Sequence, residues 1–278
     1  MIKSTFGLTK DPFYRNHFSL LPQQSEALEM IRIHAAHGGF SVIVGNPGVG
    51  KTVLRYHLEK LGKERDCLTI SFTQTMHTYP QILQQLAHTL QLESSAKLLE
   101  KDIIHTVFKN ASAQKNLYTV IDEAHLLDID VLKKLRLLFD RFPAKHNLVL
   151  LGHPELLIRL SMRHNEDLKS RISYSKQLLP LNDQDLTQFI HEELSHAGLA
   201  ANTFDDAAIA LILRAVQGNL RLTRNLCYAS LVLACIDNER VVTTRHVSQA
   251  LIQPHWRSHE ALVKQETPSN VESKPSTS

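Results

Sequence analysis

The sequence predicts an α/β fold: a parallel sheet flanked by helices and built on a phosphate-binding loop, then a small all-α lid domain. Three observations carry this. Phe40–Val44 is a short apolar run that leads straight into Gly45-Asn46-Pro47-Gly48-Val49-Gly50-Lys51-Thr52, a complete G-x-x-x-x-G-K-[ST] pattern. Further short apolar runs at Cys67–Phe72, Leu117–Ile121 and Asn147–Gly152 alternate with helical periodicity, the pattern of buried parallel strands joined by helices. After Leu181 the helical periodicity continues with no strand. The resulting division is 1–176 for the α/β core, 177–262 for the helical lid and 263–278 for a Ser/Thr/Pro/Glu-rich tail expected to be disordered.

Taken in order, Phe6-Gly7-Leu8 and Pro12-Phe13 form an N-terminal segment punctuated by aromatics. It either walls an adenine pocket or straps the edge of a core. Gln23–His37 carries the apolar spacing of a helix lying over the sheet. The first strand and the loop follow, and Val53–Leu61 continues as a helix. Pro80–Leu92 and Leu98–Lys109 read as amphipathic helices between the second and third strands. Asp130–Phe142 is a helix with an apolar stripe of Leu132, Leu135, Leu138 and Phe139. Its other face bears Lys133, Lys134, Arg136 and Arg141, either a solvated face or a patch for a nucleic-acid backbone. Leu156–Asn165 is helical and Tyr174–Leu181 extended. The lid reads as four helices: Leu186–Ala197 capped by Asn182 or Asp183 and ended by Gly198, Phe204–Val216 capped by Asp205 or Thr203 and closed by Gly218, Arg221–Ile236, and Thr243–Leu251 capped by Thr243.

The chemistry concentrates at strand ends. Gly45, Gly48 and Gly50 let the backbone turn tightly and aim its N–H groups at phosphate oxygens. Asn46, Pro47, Val49 and Val53 complete the cradle, at the N-terminus of a helix. Lys51 suits the β- and γ-phosphates, and the Thr52 hydroxyl suits Mg²⁺. The third strand ends in Asp122-Glu123-Ala124-His125. An acidic pair there, in a chain with a phosphate loop, reads as Walker B. Asp122 would hold Mg²⁺, and Glu123 would polarise the water that attacks the γ-phosphate. ATP and Mg²⁺ are therefore the expected ligands. His153 stands at the tip of the fourth strand, where a polar residue can sense the γ-phosphate. Arg171 follows in a basic segment from which it can reach a neighbouring subunit's ATP as an arginine finger. Arg221 opens the third lid helix and can point back at the nucleotide.

Composition narrows the classes. Apolar content of 43% and charged content of 21% fit a soluble globular protein. A net charge of +3 does not by itself indicate nucleic acid. The 16 histidines are scattered without a Cys/His cluster, so their spacing suggests no metal site. Three cysteines, Cys67, Cys227 and Cys235, favour a reduced cytoplasmic compartment over a disulfide framework. Met1–Phe18 is polar and lacks signal-peptide character, and no apolar run approaches membrane-spanning length.

The quoted motifs, with the FGL…DPF opening, VIDEAHLL, LVLLGHPELL, the LKSRI segment, LLPLNDQDLTQFIHEELSHAGL and QGNLRLTRNL, resemble an AAA+ ATPase. Within that superfamily the chain is similar to the ExeA/TniB-like group of secretion ATPases and transposition-accessory ATPases. The resemblance spans about Phe6 to Leu251. It implies sensor 1 at His153, an arginine finger at Arg171, and sensor 2 in Gly218-Asn219-Leu220-Arg221, where Leu220 replaces the family's proline. It further implies Mg²⁺-dependent ATP hydrolysis and self-assembly into rings or filaments. The short form points to an accessory protein of DNA transposition that assembles with ATP on double-stranded DNA and engages a transposase or target selector. The alternative is an ExeA-type ATPase energising a secretion or envelope-assembly system. A nucleotide switch with only a protein ligand is a third class.

Overall fold

The computed structural model describes residues 6–7, 12–13, 19–63, 67–72, 78–93, 95, 98–111 and 116–256. Leu8 of the N-terminal segment and the tail from Lys264 lie outside them. Two compact units divide between Leu181 and Asn182, the first residues of the chain counting with the second unit.

The α/β unit runs α1 (Pro22–Ala35), β1 (Gly39–Gly45), α2 (Lys51–Leu61), β2 (Cys67–Phe72), α3 (Tyr79–Thr89), α4 (Leu99–Ala111), β3 (Asn116–Ile121), α5 (Ile129–Phe139), β4 (His146–Gly152), α6 (Pro154–Ser161), the single turn α7 (Glu166–Lys169) and β5 (Tyr174–Leu178). The five strands form one sheet in the order β2-β3-β4-β1-β5, with every neighbouring pair parallel. This is the expected α/β class. The boundary placed at 176/177 falls inside β5. That strand pairs with β1 from Ser41 opposite Tyr174 to Gly45 opposite Leu178, so the core extends past it.

Strand periodicity sorts the core. Val42, Val44, Leu117, Ile121, Leu148 and Leu150 face one side, where they meet α3, α4 and α5 through Ile82, Leu86, Ile103 and Leu135. The alternate residues Ile43, Tyr118, Val120, Val149 and Leu151 face the other, under Ala27 and Ile31 of α1 and Leu54 and Leu58 of α2. The central strands β1, β3 and β4 thus carry apolar residues on both faces, which is why they read as apolar runs.

Polar side chains also sit in this core, among them Thr119 and His146. His146, at the start of β4, is fully buried beside Phe139 and Phe142, with its Nε2 2.9 Å from the Thr119 hydroxyl. Burial pushes its pKa down to about 3.

The second unit comprises α8 (Asp183–Ala197), α9 (Asp206–Val216), α10 (Leu220–Ile236) and α11 (Thr244–Leu251). Its caps follow the sequence. The Asn182 side chain accepts from the Asp185 amide, Asp205 from Ala208, and Asn219 from Leu222. Gly198 ends α8 in the left-handed region at φ +83°. Phe13 is buried here, edge-to-face with Phe204 at 6.4 Å, so this aromatic of the N-terminal segment serves the helical core. A buried ion pair joins α8 to α10: Arg224 donates to Glu193 at 2.8 Å. Cys227 and Cys235 are buried along α10, and Cys67 opens β2.

His146 makes folding sensitive to acid. Its folded pKa lies below the unfolded value of 6.5, so the unfolded chain takes up the proton first. Stability from this residue is complete above pH 6.5 and is lost as pH falls toward about 3, by up to ~1.4 kcal/mol per pH unit. His146→Gln, which keeps a partner for Thr119 but does not titrate, should flatten that part of the curve in urea denaturation at stepped pH.

Candidate functional site

The carboxyl ends of β1, β3 and β4 meet on one edge of the sheet, and the sequence-selected residues of the core gather there. β1 leaves the sheet at Gly45 with no room for a side chain. A Cβ there would lie 2.7 Å from Val49 Cγ2 and 2.9 Å from the Leu178 carbonyl. Gly48 and Gly50 adopt φ of +86° and +103°, the left-handed conformations that glycine tolerates. α2 then starts at Lys51 itself. Lys51 is buried and folds back along the loop, donating to the carbonyls of Gly45 at 2.6 Å and Asn46 at 3.2 Å. Val53 is buried beneath the turn, while Thr52 is exposed at its rim.

Two neighbours absent from the sequence reading hold this loop. Gln24 of α1 is wholly buried. Its amide donates to the Val49 carbonyl at 3.1 Å, and its oxygen accepts from the Leu21 amide at 3.1 Å. Arg55, one turn after Lys51, donates to Asp122 Oδ2 at 3.1 Å and lies 3.5 Å from Glu59. α2 is thereby tied to the end of β3. Burial raises the Asp122 carboxyl above its ordinary pKa, opposed by the hydrogen bond from the Glu123 amide and by Arg55.

Glu123 is held in the left-handed region, at φ +52° and ψ +33°. A non-glycine residue there is costly and needs surrounding structure to hold it. Arg159 of α6 supplies part of that support. It donates to the His125 carbonyl at 2.7 Å and to the Leu127 carbonyl at 2.8 Å, pinning the turn after Glu123. Gly152 supplies proximity: a Cβ there would lie 3.2 Å from the His125 amide nitrogen. With that gap closed, the His125 and His153 rings stack at 3.9 Å, 11° from parallel. Glu123 Oε2 lies 3.5 Å from His125 Nδ1 and 4.0 Å from His153 Nε2. Burial, followed by the neighbouring His153, pushes the His125 imidazole below its ordinary pKa.

The remaining candidates belong to other segments of the chain. Arg171 is half exposed and sits 3.5 Å from Asp140, just past α5. Arg221 is exposed at the start of α10 in the helical unit, after Gln217 and Gly218, both left-handed. On α5, Arg136 pairs with Asp140 and Lys133 donates to the His164 carbonyl; Arg141, which lies past the end of the helix, pairs with Glu100.

The donor set suits hard cations and phosphates. Asp122 and Thr52 offer oxygen ligands of the kind Mg²⁺ takes, and Asp122 already balances a cation, Arg55.

Comparison with known proteins agrees. Residues 33–160 match the family model described as an AAA domain. General secretion pathway protein A of Aeromonas hydrophila is 30% identical over 263 residues, covering 90% of this chain and 48% of that protein. The chain thus spans about half the length of this relative. Among solved structures, Cdc6p of Pyrobaculum aerophilum superposes with a TM-score of 0.70 at 18% identity, covering 94% of this chain and 75% of that one. Drosophila ORC bound to DNA gives 0.62 at 20% identity, covering 96% and 68%. These likenesses are of fold. The α/β unit has the AAA+ P-loop fold.

Gln24→Leu tests the loop anchor. It strands the buried Val49 carbonyl and Leu21 amide and should cost about 1–3 kcal/mol of stability in chemical denaturation. ATP affinity should fall as well, measured by calorimetry under conditions where the variant is fully folded.

Proposed function

We propose that this AAA+ chain binds ATP with Mg²⁺ at the turn between β1 and α2, hydrolyses it, and uses the bound nucleotide to join copies of itself in a secretion or envelope-assembly system. The observation that carries the reading is the compact loop of Gly45–Thr52. Its buried Lys51 is bent onto two loop carbonyls and ready to exchange them for phosphate oxygens, while Arg55 links the same helix to Asp122.

In this reading the loop amides and Lys51 hold the β- and γ-phosphates. Thr52 and Asp122 would hold Mg²⁺, which when bound would supply neutralisation of the charge on the phosphates. Glu123 takes the proton of the attacking water. His153 orients that water as sensor 1. Arg171 acts on the nucleotide of an adjacent copy, and Arg221 contributes from the helical domain as sensor 2. Coupling arises because a finger supplied in trans makes catalysis and assembly the same event. An ATP-consuming role also places the chain in the cytoplasm.

The choice of system rests on the Aeromonas relative, which belongs by name to a general secretion pathway. Assembly on double-stranded DNA with a transposase or target selector has less behind it, because Lys133 and Arg136 of α5, and Arg141 just after it, are engaged by neighbouring groups. No helix among the described residues is long and apolar enough to cross a membrane. A membrane role would therefore require a partner or chain outside them.

Lys51→Ala should abolish ATP binding in equilibrium dialysis. Glu123→Gln should retain ATP while lowering turnover on the order of 100-fold or more. Sedimentation of the Glu123→Gln protein with ATP should show large assemblies without nucleic acid. Assembly that appears only when duplex DNA is added would favour the transposition role, and failure to retain ATP would end the proposal.

A further inference from the structure

We propose that Glu123, His125 and His153 form a binding site for one transition-metal ion of the zinc class, separate from the Mg²⁺ position at Thr52 and Asp122. The three side chains present one ligand atom each, and these atoms all lie within 4.8 Å of one another. Two imidazole nitrogens and a carboxylate oxygen form the donor set that selects zinc-like ions over magnesium or calcium. A tetrahedral ion with bonds of 2.0–2.1 Å needs its ligands roughly 3.3 Å apart. The distances from Glu123 to the two rings, 3.5 and 4.0 Å, are close to this. Imidazole binds a metal through the lone pair in its ring plane, so the two stacked rings cannot both meet one ion as they stand; the His153 side chain, 29% exposed, must turn out of the stack, and Glu123, 43% exposed, closes the remainder.

A second observation points to a ligand. The His125 side chain is only 10% exposed, and its Nδ1 is buried with no hydrogen-bond partner. Buried polar nitrogens are normally satisfied. This one faces the Glu123 carboxylate, and an ion between them would satisfy it. The geometry is braced from outside. Arg159 fixes the His125 carbonyl, Gly152 admits the His125 backbone, and His153 is set by its place immediately before Pro154 at the start of α6. Three protein ligands leave a fourth position open to water or a phosphate oxygen.

The consequence for turnover rests on the catalytic role proposed for Glu123. A carboxylate bound to the ion cannot also accept a proton from water. The metal therefore arrests hydrolysis without displacing ATP from its loop.

The binding test needs no activity. The purified chain, free of nucleotide, is titrated with Co²⁺ and followed by its visible d–d absorption. The wild type should give a band that saturates at one equivalent and is displaced by Zn²⁺. His153→Ala and His125→Ala should each weaken binding by at least roughly tenfold, the loss that even an outer-shell partner incurs. Superimposable titrations of wild type and variants, or no band at all, overturn the site. X-ray absorption of wild-type protein carrying one equivalent of zinc covers the case of a variant that fails to fold: a shell with two imidazoles supports the site, and a shell without them overturns it. Separately, zinc-loaded wild type is assayed with Mg²⁺ and ATP, then treated with a zinc chelator. Arrest reversed by the chelator supports the consequence. Full turnover by protein that still holds zinc overturns the arrest and the role of Glu123, while leaving the site intact.

Discussion

The tightness of the turn between β1 and α2 is the constraint on which this edge of the molecule depends. A strand from the middle of a sheet must become a helix within a few residues while leaving its amides free. Gly48 and Gly50 meet that demand with left-handed backbone, and Gly45 by having no side chain to strike Val49. Once the turn is that small, Lys51 is close enough to hydrogen-bond the carbonyls of its own loop. Its charge is thus kept in place by the backbone it will serve.

The sheet order carries this precision to neighbouring strands. β4 lies between β1 and β3, so the tips bearing Lys51, Glu123 and His153 are spaced by strand pairing. Side chains from the helices then join the tips: Gln24 holds the loop, Arg55 reaches Asp122, and Arg159 clasps the turn after Glu123. The burden of an unfavourable backbone at Glu123 is shared by well-ordered elements on either side of it.

The parallel sheet was legible because its central strands β1, β3 and β4 are apolar on both faces, and the lid because its helix caps are written in Asn182, Asp205, Asn219 and Gly198. The phosphate loop and the acidic pair were legible because their spacing is local. Gln24, Arg55 and Arg159 were not, since each works on a partner far along the chain and looks like an ordinary surface residue in sequence. The histidines show the same limit. Spacing suggested no metal site, yet strand pairing and the bare backbone at Gly152 bring His125 against His153 from separate segments. The boundary at 176 cuts a segment that the sequence already marks as extended. β5 alternates half-buried and exposed residues along the sheet edge, so its apolar signal is weak, and pairing with β1 is what joins it to the core.

The contact between Arg55 and Asp122 changes the meaning of an idle molecule. A half-buried carboxylate left alone would repel its surroundings and invite rearrangement, but here a guanidinium stands as a placeholder for the missing charge. In the proposed reading, arrival of a divalent ion would be an exchange of one positive partner for another, not an addition. Arg55 would then be left to its second partner, Glu59 on the same helix α2, so loading would be announced at a position other than the one being loaded.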